Sequence, residues 1–384
     1  MVFTSFRNLV VFALSLVIVS GGKLSAEEKK PEKKPNQYEA EGIAIAAASA
    51  EETKLETFSQ KLAVDYLQKG TTAWNQSRKC VACHTNGSYM TLRPSLTKHL
   101  GKPSSENRAF FVDAFNQLKA KKSRQLKSGT NPAQAIYIAA GLAEWDAHVT
   151  KKLSPETEEA LKFMFRLQGK SGTWGSLDCW PPFESSAYHL ATVAAMAVST
   201  APGWLDAVED ENLKTGVEKL KQYLRTTTPP HDYGKVLLLW ASTRMEGLID
   251  NKQKQELMEL VWKHQRPDGG WSIRTFSEPE KWGRGNRAAK LRSEPQFQNP
   301  HSDGHQTGLA VIVLRDAGVA ADDPRIQKAV SWLKTNQRQS GRWWTRSLNT
   351  DKFHFITYSG TIYPLSALAK CNALPTLENK TAAK

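Results

Sequence analysis

The sequence predicts an all-α protein, an (α/α)6 toroid of six outer–inner helix pairs. Three observations carry that expectation: two kinds of helical segment alternate, the alternation recurs about every fifty residues, and no stretch shows convincing period-two strand patterning. One kind is amphipathic. Leu213, Val217, Leu220 and Leu224 form an apolar stripe, with Lys214, Lys219 and Lys221 around the far side. Ile326, Ala329, Val330 and Leu333 repeat the pattern behind Asp323 as a cap and Pro324 in the first turn. The other kind is apolar or small nearly all round, as over 187–198, 236–240, 309–314 and 362–369. A helix apolar on every face is buried on every face.

The chain opens with an export signal over residues 1–26: Arg7 is basic, Leu9 to Val19 is almost wholly apolar, and Leu24-Ser25-Ala26 ends in a small residue. The apolar run is short for a membrane span. An extracytoplasmic, periplasmic setting follows. Residues 27–53 read as a charged, disordered linker, most clearly at EEKKPEKKPNQ over 27–37. A single toroid then fills 54–375, and 376–384 is a tail. Outer helices fall near 54–69, 105–121, 155–168, 210–225, 252–266 and 324–338. Inner ones fall near 88–100, 132–149, 184–200, 232–247, 303–317 and 355–371. Inner helices of such a ring wall a central cavity and outer helices wrap them; the alternative is an open solenoid of helical hairpins.

Between the first outer and first inner helix stands Cys80-Val81-Ala82-Cys83-His84. C-x-x-C-H is the attachment signature of c-type haem. The two thiols add to haem vinyl groups, and the adjacent imidazole is spaced to reach the iron. The competing readings are a chance pentapeptide, a lone disulfide, or half of a zinc site completed by His99. Cys80 and Cys83 are the expected covalent anchors and His84 the proximal ligand. Met90, His99 and His148 are candidates for the other axial position, which the sequence leaves open. Cys179 and Cys371 remain as a disulfide or as buried thiols.

Three outer helices end in the same device, Gln168-xxx-Gly172-x-Trp174, Gln265-xxx-Gly269-x-Trp271 and Gln337-xxx-Gly341-x-Trp343. A degenerate copy, Gln68-xxx-Thr72-x-Trp74, precedes the haem motif. Glutamine can satisfy open carbonyls at a helix end and glycine permits the left-handed turn. These copies resemble the QW motifs of the squalene–hopene cyclase and prenyltransferase repeat family, over roughly residues 54–371. The resemblance implies the toroid and an apolar ligand in its cavity. It does not carry over catalysis: the cyclases' Asp-x-Asp-Asp acid motif is missing, and Asp178, Cys179 and His305 only loosely echo the prenyltransferase zinc set. The haem motif would sit in the first outer-to-inner connection, on the rim of the ring rather than in a separate cytochrome domain.

Histidines gather on those connections. His189, His231, His301, His305 and His354 all lie at or near starts of inner helices, with Asp178, Glu184, Asp232, Asp303, Tyr233 and Tyr358 in the same zone. A helix N-terminus disfavours cationic imidazole, which leaves a neutral ligand or base. His301-Ser302-Asp303-Gly304-His305 is the densest cluster and reads as a second metal site or as capping and pocket-lining groups. Trp180-Pro181-Pro182-Phe183 makes an aromatic lip. The net charge is +14 overall and +12 after the first 26 residues, which favours an acidic redox partner protein or an anionic membrane surface. Nucleic acid is excluded by the extracytoplasmic setting. The segment 272–299, with Lys281, Arg284, Arg287, Lys290 and Arg292, reads as a docking surface or a solvated loop. The expected activity is electron transfer or oxidoreduction, against a non-redox cyclase or transferase using an acid such as Asp303, or a haem-based binding scaffold.

Overall fold

The computed structural model describes residues 40–178, 180–183, 186–349 and 355–377. The expected export signal, the expected tether up to residue 39, Cys179, Glu184, His354 and the tail from 378 lie outside the described residues. Within them the chain is all-helical, and its extended pairings are two isolated bridges, Ala40 with Ile43 and Lys54 with Arg338. No described helix is long and apolar enough to cross a membrane.

Twelve principal helices alternate in the expected order. The outer ones are α1 (Gln60–Arg78), α3 (Ser105–Lys119), α5 (Pro155–Arg166), α7 (Glu211–Thr226), α9 (Asn251–Lys263) and α11 (Pro324–Thr335). The inner ones are α2 (Ser88–Leu92), α4 (Asn131–Trp145), α6 (Ala187–Thr200), α8 (Asp232–Ser242), α10 (Gly304–Asp316) and α12 (Phe355–Lys370). Pro94 interrupts α2, which continues as a 3₁₀ turn, Arg93–Leu96, into a short turn of helix, Thr97–Leu100. Caps set most starts: Ser59, Ser154, Asp210, Asp250 and Asp323 accept from first-turn amides of outer helices, and Ser186, His231 and Asp303 do so for inner ones.

Burial separates the two sets as the patterning requires. From Leu309 to Leu314 every side chain of α10 is buried, whereas α7 buries Val217, Leu220 and Leu224 on one stripe. Each inner helix packs on the next, α2 on α4, α4 on α6, α6 on α8, α8 on α10 and α10 on α12, and α12 packs back on α2. Helix α1 also meets α12, where the Tyr358 hydroxyl bonds Thr71 and donates to Leu67 O at 2.7 Å.

The glutamine–tryptophan corners explain the outer spacing. Gln168 Nε2 donates to Gly172 O of its own corner and to Gly216 O of the following outer helix, both at 2.9 Å. Gln265 does the same to Gly269 O and Arg325 O, and Gln337 to Gly341 O and Ser59 O. Each tryptophan returns its indole N–H to a carbonyl in the helix just ended, Met164, Val261 or Leu333. The glycines stand at φ +89°, +90° and +85°.

Two expectations change. The degenerate copy is not a corner: Gln68, Thr72 and Trp74 lie inside α1, which runs on to Arg78. Thr72 lacks glycine's access to the left-handed turn, so the helix stops only at Lys79, φ 50°. The second concerns residues 40–53, expected as part of the disordered tether. Their C-terminal part is instead tied to the last corner: Ser340 N donates to Glu52 Oε1 at 2.7 Å and Arg342 Nη1 to Ala46 O at 2.7 Å.

Candidate cofactor site and the adjoining tyrosine–histidine cluster

The Cys80–His84 segment is held from both sides of its backbone. Trp74 Nε1 and Asn86 Nδ2 both donate to Cys80 O, at 2.9 and 3.0 Å. The Asn86 amide oxygen accepts from Ala82 N at 2.7 Å, and its Nδ2 also donates to Asn75 Oδ1. One asparagine therefore clamps the loop between the thiols to α1. Cys83–Gly87 then forms a single π-helical turn leading into α2; such turns recur at functional sites. A Cβ on Gly87 would lie 2.6 Å from Ala82 O, so glycine lets that turn close onto the motif.

Cys80 is a half-buried, free thiol, so no disulfide joins it to Cys83. Burial pushes the Cys80 thiol up, and Cys83 is 6% exposed. His84 is buried and edge-on to Trp74, with centroids 4.9 Å apart. Burial lowers its pKa to about 3, leaving a neutral imidazole. Its Nδ1 bonds Thr85 Oγ1 at 2.8 Å, which fixes the ring's orientation.

Beside Cys83 lies a buried cluster drawn from five inner helices. His305 Nδ1 donates to Ser359 Oγ at 2.7 Å, because Ser359 spends its own proton on Ile356 O; Nε2 is then the acceptor for the Tyr233 hydroxyl at 3.2 Å. His189 has the same tautomer. Its Nδ1 donates to Pro182 O at 3.0 Å and its Nε2 accepts from Tyr137 at 3.3 Å. His231 is reversed: Nδ1 caps α8 by accepting from Gly234 N at 3.0 Å, which places the proton on Nε2. Burial lowers His189 and His231 to about 4 and His305 to about 3. Tyr233 is held well above the ordinary phenol range by burial first, then by Tyr363, Asp303 and Cys83. Cys83 acts likewise on Tyr363, so the haem motif and the cluster are electrostatic neighbours.

Phe183 of the expected aromatic lip packs against His189 and His305, with centroids 6.0 and 5.7 Å away, while Trp180 is exposed. Trp282 packs at a tilt against His231 and Tyr233, with ring centroids 4.6 and 5.6 Å away. Neither His231 Nε2 nor Trp282 Nε1 has a hydrogen-bond partner. The segment carrying Trp282 keeps Lys281, Arg284 and Arg292 exposed, above a buried anchor. Arg274 and Glu294 form a buried pair at 2.7 Å within it, Arg284 bonds Asp178 at 2.7 Å, Arg292 bonds Glu280 at 2.6 Å, and Arg287 bonds Asn349 at 2.7 Å.

The other rim candidates serve local structure. Asp303 caps α10 by accepting from Gln306 N at 2.9 Å and joins it to the preceding corner by accepting from Ile273 N at 2.7 Å. Burial nevertheless pushes it up to about 6. Asp232 turns to Lys235 and His264, His301 is exposed, and Tyr358 faces α1. Met90 is fully buried between α2 and α4, beside Gly141. His99 and His148 line a cavity at the C-terminal ends of the inner helices, away from His84. The zinc site that His99 would complete is therefore not assembled. Among the described residues no group of three or more His, Cys, Asp or Glu side chains could hold a metal ion. Cys371 is a buried free thiol, with burial raising it to about 11.

Of the groups that matter here, Trp282 and the Tyr137–His189 pairing carry no sequence signal. Trp282 sits outside the repeat, and Tyr137 meets a histidine 52 positions away.

The cavity bounded by Ser88, Tyr137, Glu144, His189, Trp240 and Tyr363 measures about 40 Å³. That is room for water, against several hundred Å³ for a typical small-molecule site. Neither a porphyrin nor a terpenoid fits inside it. The donor set of Cys80, Cys83 and His84 does fit haem chemistry: two thiols and a neutral, anchored imidazole. The partnerless His231 and Trp282 N–H groups are of the kind that a bound oxygen acceptor satisfies. No protein-family model and no curated protein matches the chain.

Proposed function

We propose that this chain is an exported c-type haem protein built on a squalene-cyclase-like (α/α)6 toroid and serving electron transfer or oxidoreduction. The observation that carries the reading is the state of His84: neutral, held through Nδ1, and in one segment with two thiols beside a buried tyrosine–histidine cluster. The ring is supported by the packing of each inner helix on the next and of α12 on α2. Cys80 and Cys83 would hold the haem and His84 would ligate its iron; bound there, haem supplies a one-electron couple.

The chain's own residues do the rest. Asn86 and Trp74 fix the loop that presents the thiols. Tyr233 and Tyr137 each hold a hydroxyl proton against a neutral imidazole nitrogen, so a proton can shift locally without bulk water. Phe183 and Trp282 keep that cluster dry. The excess positive charge steers an acidic partner.

The test is a pyridine haemochrome assay with intact mass on the exported protein. A haem adduct lost in the Cys80→Ser/Cys83→Ser double variant is expected, as is an altered reduced spectrum in His84→Ala. A colourless protein of unmodified mass overturns the proposal.

A further inference from the structure

The opposite ends of the inner helices enclose a second cavity of about 230 Å³. Its floor is apolar, made by Leu92, Leu96, Trp240 and Ala369. Its charged and titratable lining is all basic: Arg244, Lys370, His99 and His148. The acids that balance the two cations stand behind them, Glu144 on Arg244 and Asp316 on Lys370. Arg244 spends Nη1 on Glu144 and on Thr200, which leaves the rest of the guanidinium fork for other work.

Ser366 also lines this cavity. It is 2% exposed, yet its hydroxyl has no hydrogen-bond partner. A buried, unsatisfied hydroxyl is costly unless a ligand or water completes it. The helix C-termini gathered here carry about half a negative charge each, which opposes an anion. Against that field the cavity offers directed donors, the unspent guanidinium N–H groups of Arg244 and the ammonium of Lys370, and Arg315 Nε already engages the Lys370 carbonyl at 3.1 Å.

We propose that this cavity binds a small amphipathic monocarboxylate, with its hydrocarbon body on Leu96 and Trp240 and its carboxylate toward Arg244, Lys370 and the Ser366 hydroxyl. The volume suits a short chain rather than a long lipid, and the apolar floor disfavours a compact, fully hydrated anion. The proposal is independent of haem.

Calorimetric titration of the full chain with hexanoate tests it. Saturable binding is expected, weakened about tenfold in Ser366→Ala by loss of one hydrogen bond to a charged group. Arg244→Lys is expected to weaken it similarly, and Leu96→Trp, which fills the floor, to abolish it. Circular dichroism confirms that each variant is folded, and Ser366→Ala decides the matter if the others are not. Absence of saturable binding to the wild type, unchanged affinity in Ser366→Ala, or inorganic phosphate binding as tightly as hexanoate overturns the proposal.

Discussion

Acidification from pH 7 to pH 5 is expected to remove about 4 kcal/mol of folding stability, a large part of the roughly 5–15 kcal/mol a domain has. The cause is the three buried neutral imidazoles of the tyrosine–histidine cluster; His84, neutral for the same reason, would add a fourth where no iron holds it. His189 and His231 titrate at about 4 in the folded protein and His305 at about 3, against 6.5 for an unhindered histidine. Between those limits the unfolded chain binds more protons than the folded one, so stability falls as pH falls. Each histidine then costs roughly 1.8 kcal/mol by pH 5. Asp303 works the other way. Its folded value of about 6 exceeds its ordinary 3.8, so the folded protein takes up the proton first and gains roughly 1 kcal/mol across the same interval. Urea midpoints followed by circular dichroism at pH 7, 6 and 5 measure the slope. His189→Gln should flatten it by about two fifths, since one of three equivalent terms is gone from a slope that Asp303 already reduces. A midpoint independent of pH would mean that these rings are hydrated, and the dry cluster would have to be abandoned.

Helix type and order were legible because burial on all sides and burial on one side write different patterns. The uniformly apolar run of 309–314 and the stripe at Val217, Leu220 and Leu224 need no tertiary information to be told apart. The corners were legible for a similar reason, since glutamine, glycine and tryptophan each perform a local task at fixed offsets. What escaped was whatever depends on partners far along the chain. Trp74 reads as the tail of a corner, but its indole serves the Cys80 carbonyl because Thr72 keeps α1 running. Tyr233 and His305 are 72 positions apart, and their hydrogen bond exists only because α8 and α10 are neighbours. Glu52 follows a short alanine-rich stretch, 43–50, with no amphipathic face of its own to predict order, and it is held by Ser340 and Arg342 about 290 positions away. Composition marks where a segment cannot form its own core; it does not show whether another segment will grip it.

Gly341→Ala is expected to destabilise the protein by about 3 kcal/mol, and the size of that loss tests whether the chain closes on itself. At φ +85° an L side chain pays roughly 1 kcal/mol for the backbone alone. A Cβ there would also lie 2.4 Å from the Leu62 carbonyl carbon, so the first turn of α1 must move away, at about 1–3 kcal/mol. That movement loosens the seam, because Gln337 accepts from Ser59 N at 2.7 Å and donates to Ser59 O at 2.9 Å across 278 residues. Gly318→Ala is the control: its φ is +103° but nothing lies within 4 Å of the added carbon, so only the backbone cost remains. Gly269→Ala, at a corner in the middle of the order, should cost about as much as Gly341→Ala, since its Cβ would stand 2.8 Å from Lys328 O. In an open solenoid the last corner would have no helix to press on. Gly341→Ala would then behave like Gly318→Ala while Gly269→Ala kept its full penalty, and chemical denaturation of the three variants separates the two architectures.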